Sequence, residues 1–197
     1  NYAAKDVKVL FPLKEKLKAE INSAELDMQM RIENRFLPML VEMMYWGMPI
    51  DVASVEKAIA QYEHCQSDML QPFYDALGDV SHTADPTKLT QLLNEKLGLQ
   101  MKSTSKDQLN LNSDIPAVKA LQRARSLDKH IDYLKSLREK ASQGRIRSDL
   151  KQIAPKGFGR TTSKEGEIEG VNLQQVPNPI GDSEIDKYHL PSIRSMF

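Results

Sequence analysis

The sequence predicts a mainly α-helical protein that ends in a short β or irregular segment. Through most of the first 142 residues, apolar side chains recur at three- and four-residue steps, the period of an amphipathic helix. Glycines and helix-capping aspartates divide this stretch into separate helices. After Gly144 the chain becomes rich in glycine, proline, serine and other polar residues, a composition typical of short strands and loops.

Two helices are expected before the first glycine of the chain. The apolar pattern places them at about residues 2–24 and 25–45. Pro12 lies inside the first and Pro38 inside the second, so we expect the first helix to be kinked or divided and the second to be bent. Gly47 ends the second helix, and a short extended link should follow it.

Aspartates mark the starts of the next two helices. Asp51 is a good N-cap for a long third helix, which should end at Gly78. Asp85 and Pro86 have the pattern of an N-cap followed by proline at the first helical position. They predict a short helix that ends at Gly98.

A polar loop and a second long helix follow. The loop, at residues 102–113, should contain a helical turn in which Ser105 and Gln108 have the spacing of a capping box. The long helix should run over residues 115–142, after which residues 145–150 alternate like a short strand.

The two long helices together predict an elongated antiparallel pair over about residues 51–142. Its tip should be small and lie around residues 86–113. A compact bundle or a sheet in this stretch would contradict the prediction.

Charge is balanced over the whole chain, with 27 Lys and Arg against 27 Asp and Glu. Locally, residues 119–160 are strongly basic, which indicates a phosphate-binding surface as readily as a solvated helix face. The basic residues of this segment are Lys119, Arg123, Arg125, Lys129, Lys135, Arg138, Lys140, Arg145, Arg147, Lys151, Lys156 and Arg160.

Composition also limits the cellular setting. Cys65 is the single cysteine, so no intrachain disulfide forms, which suits a reducing compartment. No apolar run is long enough for a membrane span, and the N-terminus lacks a signal-peptide pattern. We therefore expect a cytoplasmic location without membrane contact. The four histidines are scattered, and no structural zinc site is expected.

Three short motifs occur in order near the end of the chain. They are Gly-Arg-Thr-Thr-Ser at 159–163, Asn-Leu-Gln-Gln-Val-Pro at 172–177 and Ile-Arg-Ser-Met-Phe at 193–197. Together they resemble the start of the polymerase domain of family A (DNA polymerase I-like) DNA polymerases. There a Gly-Arg-x-Ser-Ser turn, an Asn-Leu-Gln-Asn-Ile-Pro segment and an Ile-Arg-x-Ala-Phe run lead into the first catalytic strand of the palm.

The resemblance implies roles for three polar residues in these motifs. Arg160 matches an arginine that reaches the minor groove beside the primer terminus. There it can donate hydrogen bonds to acceptors that every correct base pair presents. Asn172 and Gln174 match residues near the template and the terminal pair. The chain departs from the family pattern in the extra residues that precede Asn172 and in those between the second and third motifs.

The same family resemblance extends over the helices. Residues 36–51, which end in Gly-Met-Pro-Ile-Asp, resemble the signature at the start of the thumb, and residues 85–99 resemble the thumb tip. Residues 123–129 resemble the basic run of the second long thumb helix. The resemblance implies DNA-backbone contacts, electrostatic and blind to sequence, for Arg125, Lys129, Lys88, Lys102 and Lys106.

Tyr2 and Asp6 resemble the last motif of the 3′–5′ exonuclease domain that precedes this polymerase domain. In the family the aspartate is a ligand of a catalytic divalent metal, and the tyrosine orients the attacking water. Oxygen ligands suit a hard ion such as Mg²⁺. Mg²⁺ is accordingly the expected cofactor of the complete polymerase, and no cofactor is expected in this segment alone.

The sequence therefore divides into four expected regions. Residues 1–24 would end an exonuclease-like domain, 25–50 connect it to the polymerase, 51–143 form the thumb and 144–197 begin an incomplete palm.

The expected function is to grip primer–template DNA during replication or repair, with the remaining palm and fingers as partners, in the same or a separate chain. Whether the chain counts as an enzyme is left open, since this segment alone is expected to be inactive. A non-enzymatic helical module that binds nucleic acid, or a purely structural interaction protein, is the alternative.

Overall fold

Helices account for most of the described protein, which comprises residues 2–152, 162–164 and 170–197 of a computed structural model. The predicted mainly α-helical class is confirmed. In chain order the helices are α1 (Tyr2–Ser23), α2 (Asp27–Trp46), α3 (Val52–Leu77), α4 (Pro86–Leu97), α5 (Lys106–Leu111), α6 (Pro116–Lys140) and α7 (Ser183–Asp186). The strands are β1 (Met48–Pro49), β2 (Arg145–Ile146), β3 (Asp149–Lys151) and β4 (Thr162–Lys164), and 3₁₀ turns span Leu173–Gln175 and Ile193–Met196.

The first two helices form an exposed arm. Helix α1 continues through Pro12, so of the two expected outcomes, a kink or a division, the division does not occur. A proline removes one backbone N–H bond, and the bonds on either side suffice to carry the helix past it. Helix α2 likewise contains Pro38. Leu40 is buried, whereas most other apolar side chains described in this arm are exposed.

Helices α3 and α6 pack against each other in antiparallel directions. Residue numbers rise along one helix as they fall along the other. Tyr62 of α3 stacks on His130 of α6, whereas Gln66, one turn further along α3, donates to the carbonyl oxygen of Ala124 at 3.0 Å. The predicted antiparallel helix pair is thus present, and no sheet lies among residues 51–140.

The pair contains two apolar clusters. One lies toward α4 and α5 and includes Phe73, Leu89, Leu93 and Leu121, so it joins the tip to the helices. The other lies at the opposite end, where side chains of α3 and α6 meet β2 and the C-terminal segment. This second cluster buries Ile185, Ile193 and Met196 among other residues, and so fixes the C-terminal segment against the pair.

Helix starts follow the predicted capping chemistry in two of three places. The Asp51 carboxylate accepts from the N–H of Ala53 and of Ser54, and Asp85 accepts from the N–H of Thr87 at 2.9 Å. The capping box expected at Ser105 and Gln108 is wrong. The Ser105 hydroxyl accepts from the nearby hydroxyl of Ser103, and Gln108 accepts from a backbone N–H before α5.

Two small antiparallel sheets lie outside the helix pair. Strand β1, in the expected extended link, pairs with β2 in the register Met48 with Ile146. Strand β3 pairs with β4, so the predicted strand at 145–150 is split between two sheets. None of the helices in the described part of the chain combines the length and the apolar character needed to cross a membrane.

Candidate nucleic-acid interface

A row of three side chains on α6 links the tip of the helix pair to the C-terminal segment. Arg125, Lys129 and Tyr133 are four residues apart, so they lie on one side of the helix at intervals of about 6 Å along its axis. We name this set the α6 row. At one end it contacts the loop that precedes α5, and at the other it contacts Asn172.

Arg125 connects the tip to α6 through hydrogen bonds. Its guanidinium donates to the carbonyl oxygen of Thr104 at 2.5 Å and to the Thr104 hydroxyl at 3.1 Å. Burial lowers the pKa of this guanidinium, and the negative charge of Asp128 acts in the opposite direction. The residue therefore holds the polar loop in place, and its contact with a phosphate stays a prediction.

Lys129 is the exposed cation of the row. Among the described residues, none forms a hydrogen bond or an ion pair with its ammonium group. A lysine on a rigid helix with its charge in solvent suits a phosphate oxygen, because such contacts need a point charge and little geometric precision. Its assignment to the DNA backbone stays a prediction.

Tyr133 connects the row to a compact polar network. Its hydroxyl donates to the carbonyl oxygen of Asn172 at 3.1 Å, and burial raises its pKa to about 12. The Asn172 side chain accepts from the Ser163 hydroxyl at 2.7 Å and from the N–H of Gln174 at 3.1 Å. Gln174 in turn accepts from the N–H of Ser163 at 3.2 Å. The fold thus brings the predicted pair Asn172 and Gln174 to the end of the α6 row.

Sequence reasoning missed Tyr133 and Ser163. A signal for Tyr133 was available, because an aromatic residue four positions after Lys129 must share its helix face. Ser163 lies in a segment whose pairing with residues 172–174 depends on the sheet formed by β3 and β4.

Several cations of the basic segment are already bound within the protein. Arg123 forms a two-point ion pair with Asp182, and Lys135 pairs with Glu63 at 2.7 Å. Arg145 and Arg147 donate to carbonyl oxygens at the C-terminal end of α2, where the helix dipole favours positive charge. The segment is therefore partly structural, and Lys129 and Lys119 are among its exposed cations.

The predicted tip lysines Lys88, Lys102 and Lys106 are all exposed. Lys102 and Lys106 flank Thr104, the residue that Arg125 holds, so they lie near the end of the α6 row. Lys88 lies in the first turn of α4, where the hydrogen bonds that the Lys88 and Thr87 backbone N–H groups donate, together with the Lys88 charge, lower the pKa of Asp85. The fold therefore places three exposed cations on the tip.

The remaining predicted site residues lie in α1 or outside the described part of the chain. Arg160 lies outside the described residues, two positions before β4. Tyr2 is the first residue of α1, and Asp6 is exposed one turn later. Among the described residues no three His, Cys, Asp or Glu side chains are grouped to bind a metal. The described residues by themselves therefore do not form a carboxylate site of the kind that catalytic Mg²⁺ needs.

Substitutions of Arg125 and Lys129 should distinguish a residue that stabilises the fold from one that only exposes a charge on the surface. Arg125→Ala should destabilise the chain by about 1–3 kcal/mol, because buried partners at Thr104 lose a charged donor. Lys129→Ala should change stability by less than about 0.5 kcal/mol, as for other exposed positions. Urea unfolding of both variants measures this, and equal losses would contradict the geometry described for Arg125.

Comparison with known proteins supplies the context for this surface. No protein-family model matches the chain. It is 25% identical over 200 residues to DNA polymerase I of Aquifex aeolicus, covering 87% of this chain and 34% of that protein. The chain is similar to a segment of a DNA polymerase I.

A solved structure shares the fold. It is the POL domain of Pol1 from M. smegmatis in complex with DNA primer-template and dNTP, with a TM-score of 0.67 and 23% identity. The match covers 90% of this chain and 32% of that one. The chain therefore spans about a third of the length of either relative, and its fold resembles that of part of the M. smegmatis POL domain.

Proposed function

We propose that the chain is part of a family A, DNA polymerase I-like, DNA-directed DNA polymerase. In this proposal it grips primer–template DNA during template-directed nucleotide addition in replication or repair. The α6 row carries the proposal, because it joins a lysine-rich tip to Asn172 and Gln174 within a polymerase-like fold. A cytoplasmic location belongs to the same proposal.

The four regions of the chain take the roles that the resemblance implies. Residues 51–143 would be the thumb, and residues 144–197 the start of the palm. Residues 25–50 would connect the thumb to residues 1–24, which would close an exonuclease-like domain with Tyr2 and Asp6. The antiparallel α3 and α6 pair with its small tip supports the thumb assignment.

The cations of this surface would hold the DNA without reading its sequence. Lys88, Lys102, Lys106 and Lys129 would attract phosphates, and each contact releases counterions from the duplex. Arg125 would shape the tip loop through Thr104 as well as carry charge toward the backbone. Binding by this set should be weak, because it supplies few contacts.

Residues at the far end of the row would lie beside the terminal base pair. Arg160 would reach the minor groove, and the network of Ser163, Asn172 and Gln174 would keep the two amides in fixed positions. Tyr133 supports this network from α6. The chemical step needs Mg²⁺ held by several carboxylates, which the remaining palm would supply, with the fingers, in the same or a separate chain.

Binding of a fluorescent primer–template duplex tests the proposal. Anisotropy should rise with protein, and the logarithm of the binding constant should fall linearly with the logarithm of the salt concentration. Lys129→Ala should reduce that slope by about one unit. Lys119→Ala is the matched control, since Lys119 is an exposed lysine of α6 that lines a different groove, with Met69 and Pro72.

The outcomes separate the candidate functions. No salt-dependent binding would leave only a structural interaction protein. Binding with equal effects of the two lysine substitutions would remove the α6 row from the interface. Recovery of primer extension when the remaining polymerase region is added would separate a polymerase segment from a non-enzymatic binding module.

A further inference from the structure

The loop between α4 and α5 alternates buried and exposed residues. We name residues 99–106 the tip loop; its last residue begins α5. Met101 and Thr104 are each 5% exposed, whereas Lys102 and Lys106 lie in solvent. Among the described residues, none forms a hydrogen bond or an ion pair with either ammonium group. The backbone is therefore held at two points, and each point has an exposed cation within two residues of it.

Met101 is held from within the tip. The Asn94 side chain of α4 donates to the Met101 carbonyl oxygen at 2.9 Å and accepts from the Met101 N–H at 2.9 Å. Both backbone polar groups of this buried residue are thereby satisfied, as burial requires. Met101 also belongs to the apolar cluster at this end of the helix pair, with Leu93 and Leu109. The first half of the tip loop therefore has its own support.

Thr104 is held from outside the tip, by Arg125 of α6. The guanidinium donates to the Thr104 carbonyl oxygen at 2.5 Å from one terminal nitrogen and to the hydroxyl at 3.1 Å from the other. Two bonds from a planar fork fix an orientation as well as a distance, which a lysine ammonium on its flexible stem does not do. Since Thr104 is buried, loss of this fork leaves two polar groups without their charged donor.

Arg125 and Lys129 are one helical turn apart, but they differ in what they offer a ligand. Both terminal nitrogens of the guanidinium are already bonded to Thr104, and the group is half-buried. Burial lowers the pKa of Arg125, against the opposing effect of the Asp128 charge. Lys129 has its ammonium group in solvent. A phosphate contact by Arg125 would therefore compete with Thr104, whereas one by Lys129 would break no internal bond among the described residues.

We propose that Arg125 is a positioning residue, which acts on DNA by holding the tip loop so that Lys102 and Lys106 reach the phosphate backbone from fixed places. A loop that is ordered before binding loses less conformational entropy on binding, so the same two lysines bind more tightly. The DNA part of this inference rests on the proposed function. Arg125 thereby takes an indirect role, in place of the direct backbone contact that the family resemblance implies.

Amide exchange of the 197-residue chain without DNA tests the support of the loop directly. The Leu109 N–H bonds the Ser105 carbonyl oxygen at 3.0 Å, beside the second anchor, and so reports on that anchor. Arg125→Ala should lower the protection of this amide by about tenfold to a hundredfold, as expected for loss of a charged hydrogen bond. The Met101 N–H, which is held from α4, is the internal reference and should keep its protection. Unchanged protection at Leu109 would contradict the proposal.

Arg125→Lys separates charge from geometry. It retains the cation and loses the fork, so Leu109 protection and the affinity for primer–template DNA should both stay close to those of Arg125→Ala. A direct phosphate contact would instead survive this substitution, because a phosphate accepts a point charge. Thr104→Val changes no charge and removes only the hydroxyl bond. It should weaken DNA binding by about twofold to tenfold, as expected for loss of one hydrogen bond.

A double-mutant cycle on DNA affinity tests the link between Arg125 and the two lysines. Lys102→Ala combined with Lys106→Ala should weaken binding of a fluorescent primer–template duplex in the wild-type background. In the Arg125→Ala background the loss caused by the same pair should be smaller by a factor of about three or more. Lys88→Ala is the matched control, since Lys88 is a tip lysine in the first turn of α4 and lies outside the tip loop. Its effect should be equal in both backgrounds within about twofold.

Equal effects of the lysine pair in the two backgrounds, within about twofold, would overturn the proposal, as would wild-type affinity in Arg125→Lys. If Arg125→Ala folds poorly, Arg125→Lys takes its place in the cycle, and Thr104→Val gives the same comparison with every charge retained. Absence of DNA binding by the wild type would refute the proposed function and with it the DNA part of this inference. The exchange result would then still decide whether Arg125 holds the tip loop.

Discussion

Gly47→Ala should destabilise the protein by about 2–6 kcal/mol. Gly47 has φ +66° and ψ −177°, a region that side chains avoid at a cost of about 1–3 kcal/mol. A Cβ atom there would lie 2.5 Å from the Ile146 carbonyl oxygen and 3.0 Å from Cγ of Arg147. Because backbone atoms of β2 cannot move aside cheaply, steric overlap adds about 1–3 kcal/mol. Urea unfolding measures the loss.

Gly98→Ala is the matched control for this substitution. Gly98 also has φ +66°, but its ψ of 28° is left-handed helical, and a Cβ atom there meets nothing within 4 Å. Its replacement should cost only about 1–2 kcal/mol. If both alanine variants lose the same stability, the close approach of Gly47 to β2 does not contribute.

Capping chemistry is local, which explains why the sequence predicts several helix boundaries correctly. Asp51 and Asp85 bond N–H groups two and three residues ahead, and Gly78 and Gly98 adopt positive φ at helix ends. At Ser105 the hydroxyl accepts from Ser103, two residues earlier, and caps no N–H group of α5. Spacing alone does not decide between two local partners.

Long-range pairing is where prediction from the sequence ends. The four-residue spacing of Arg125 and Lys129 places both on one face of α6, but the partner of Tyr133 lies 39 residues away in sequence, at Asn172. The contacts of the basic segment, residues 119–160, could not be predicted from the sequence either. Charges can be counted in the sequence, whereas the pairing of Arg123 with Asp182 depends on how residues 177–193 return to the helices.

Residues between the second and third motifs were expected only to add length. In the structure they cross the helix pair, because Ile185 enters the cluster at its base and Ile180 and Leu190 pack against it. These three apolar positions are five residues apart and fit neither the helical nor the strand period, so their burial could not be predicted from pattern.

In a complete polymerase containing this chain, Arg160→Ala should slow correct incorporation by about tenfold to a hundredfold. One charged hydrogen bond to the terminal pair is worth about 1.5–3 kcal/mol, and a rate changes tenfold for each 1.4 kcal/mol or so. Discrimination against a mismatched primer end should weaken, because the minor-groove acceptors would no longer be checked. Single-turnover extension of matched and mismatched primers measures both effects.

Lys129→Ala in the same polymerase provides the contrast. The phosphate contact proposed for Lys129 would be one of many and would carry no base information, so the substitution should reduce DNA affinity and the salt slope and leave discrimination unchanged. Arg160→Ala should leave bulk affinity nearly unchanged, since most affinity comes from replaceable phosphate contacts. If the two variants behave alike, Arg160 does not act at the primer terminus, and the turn that carries it is one more basic surface loop.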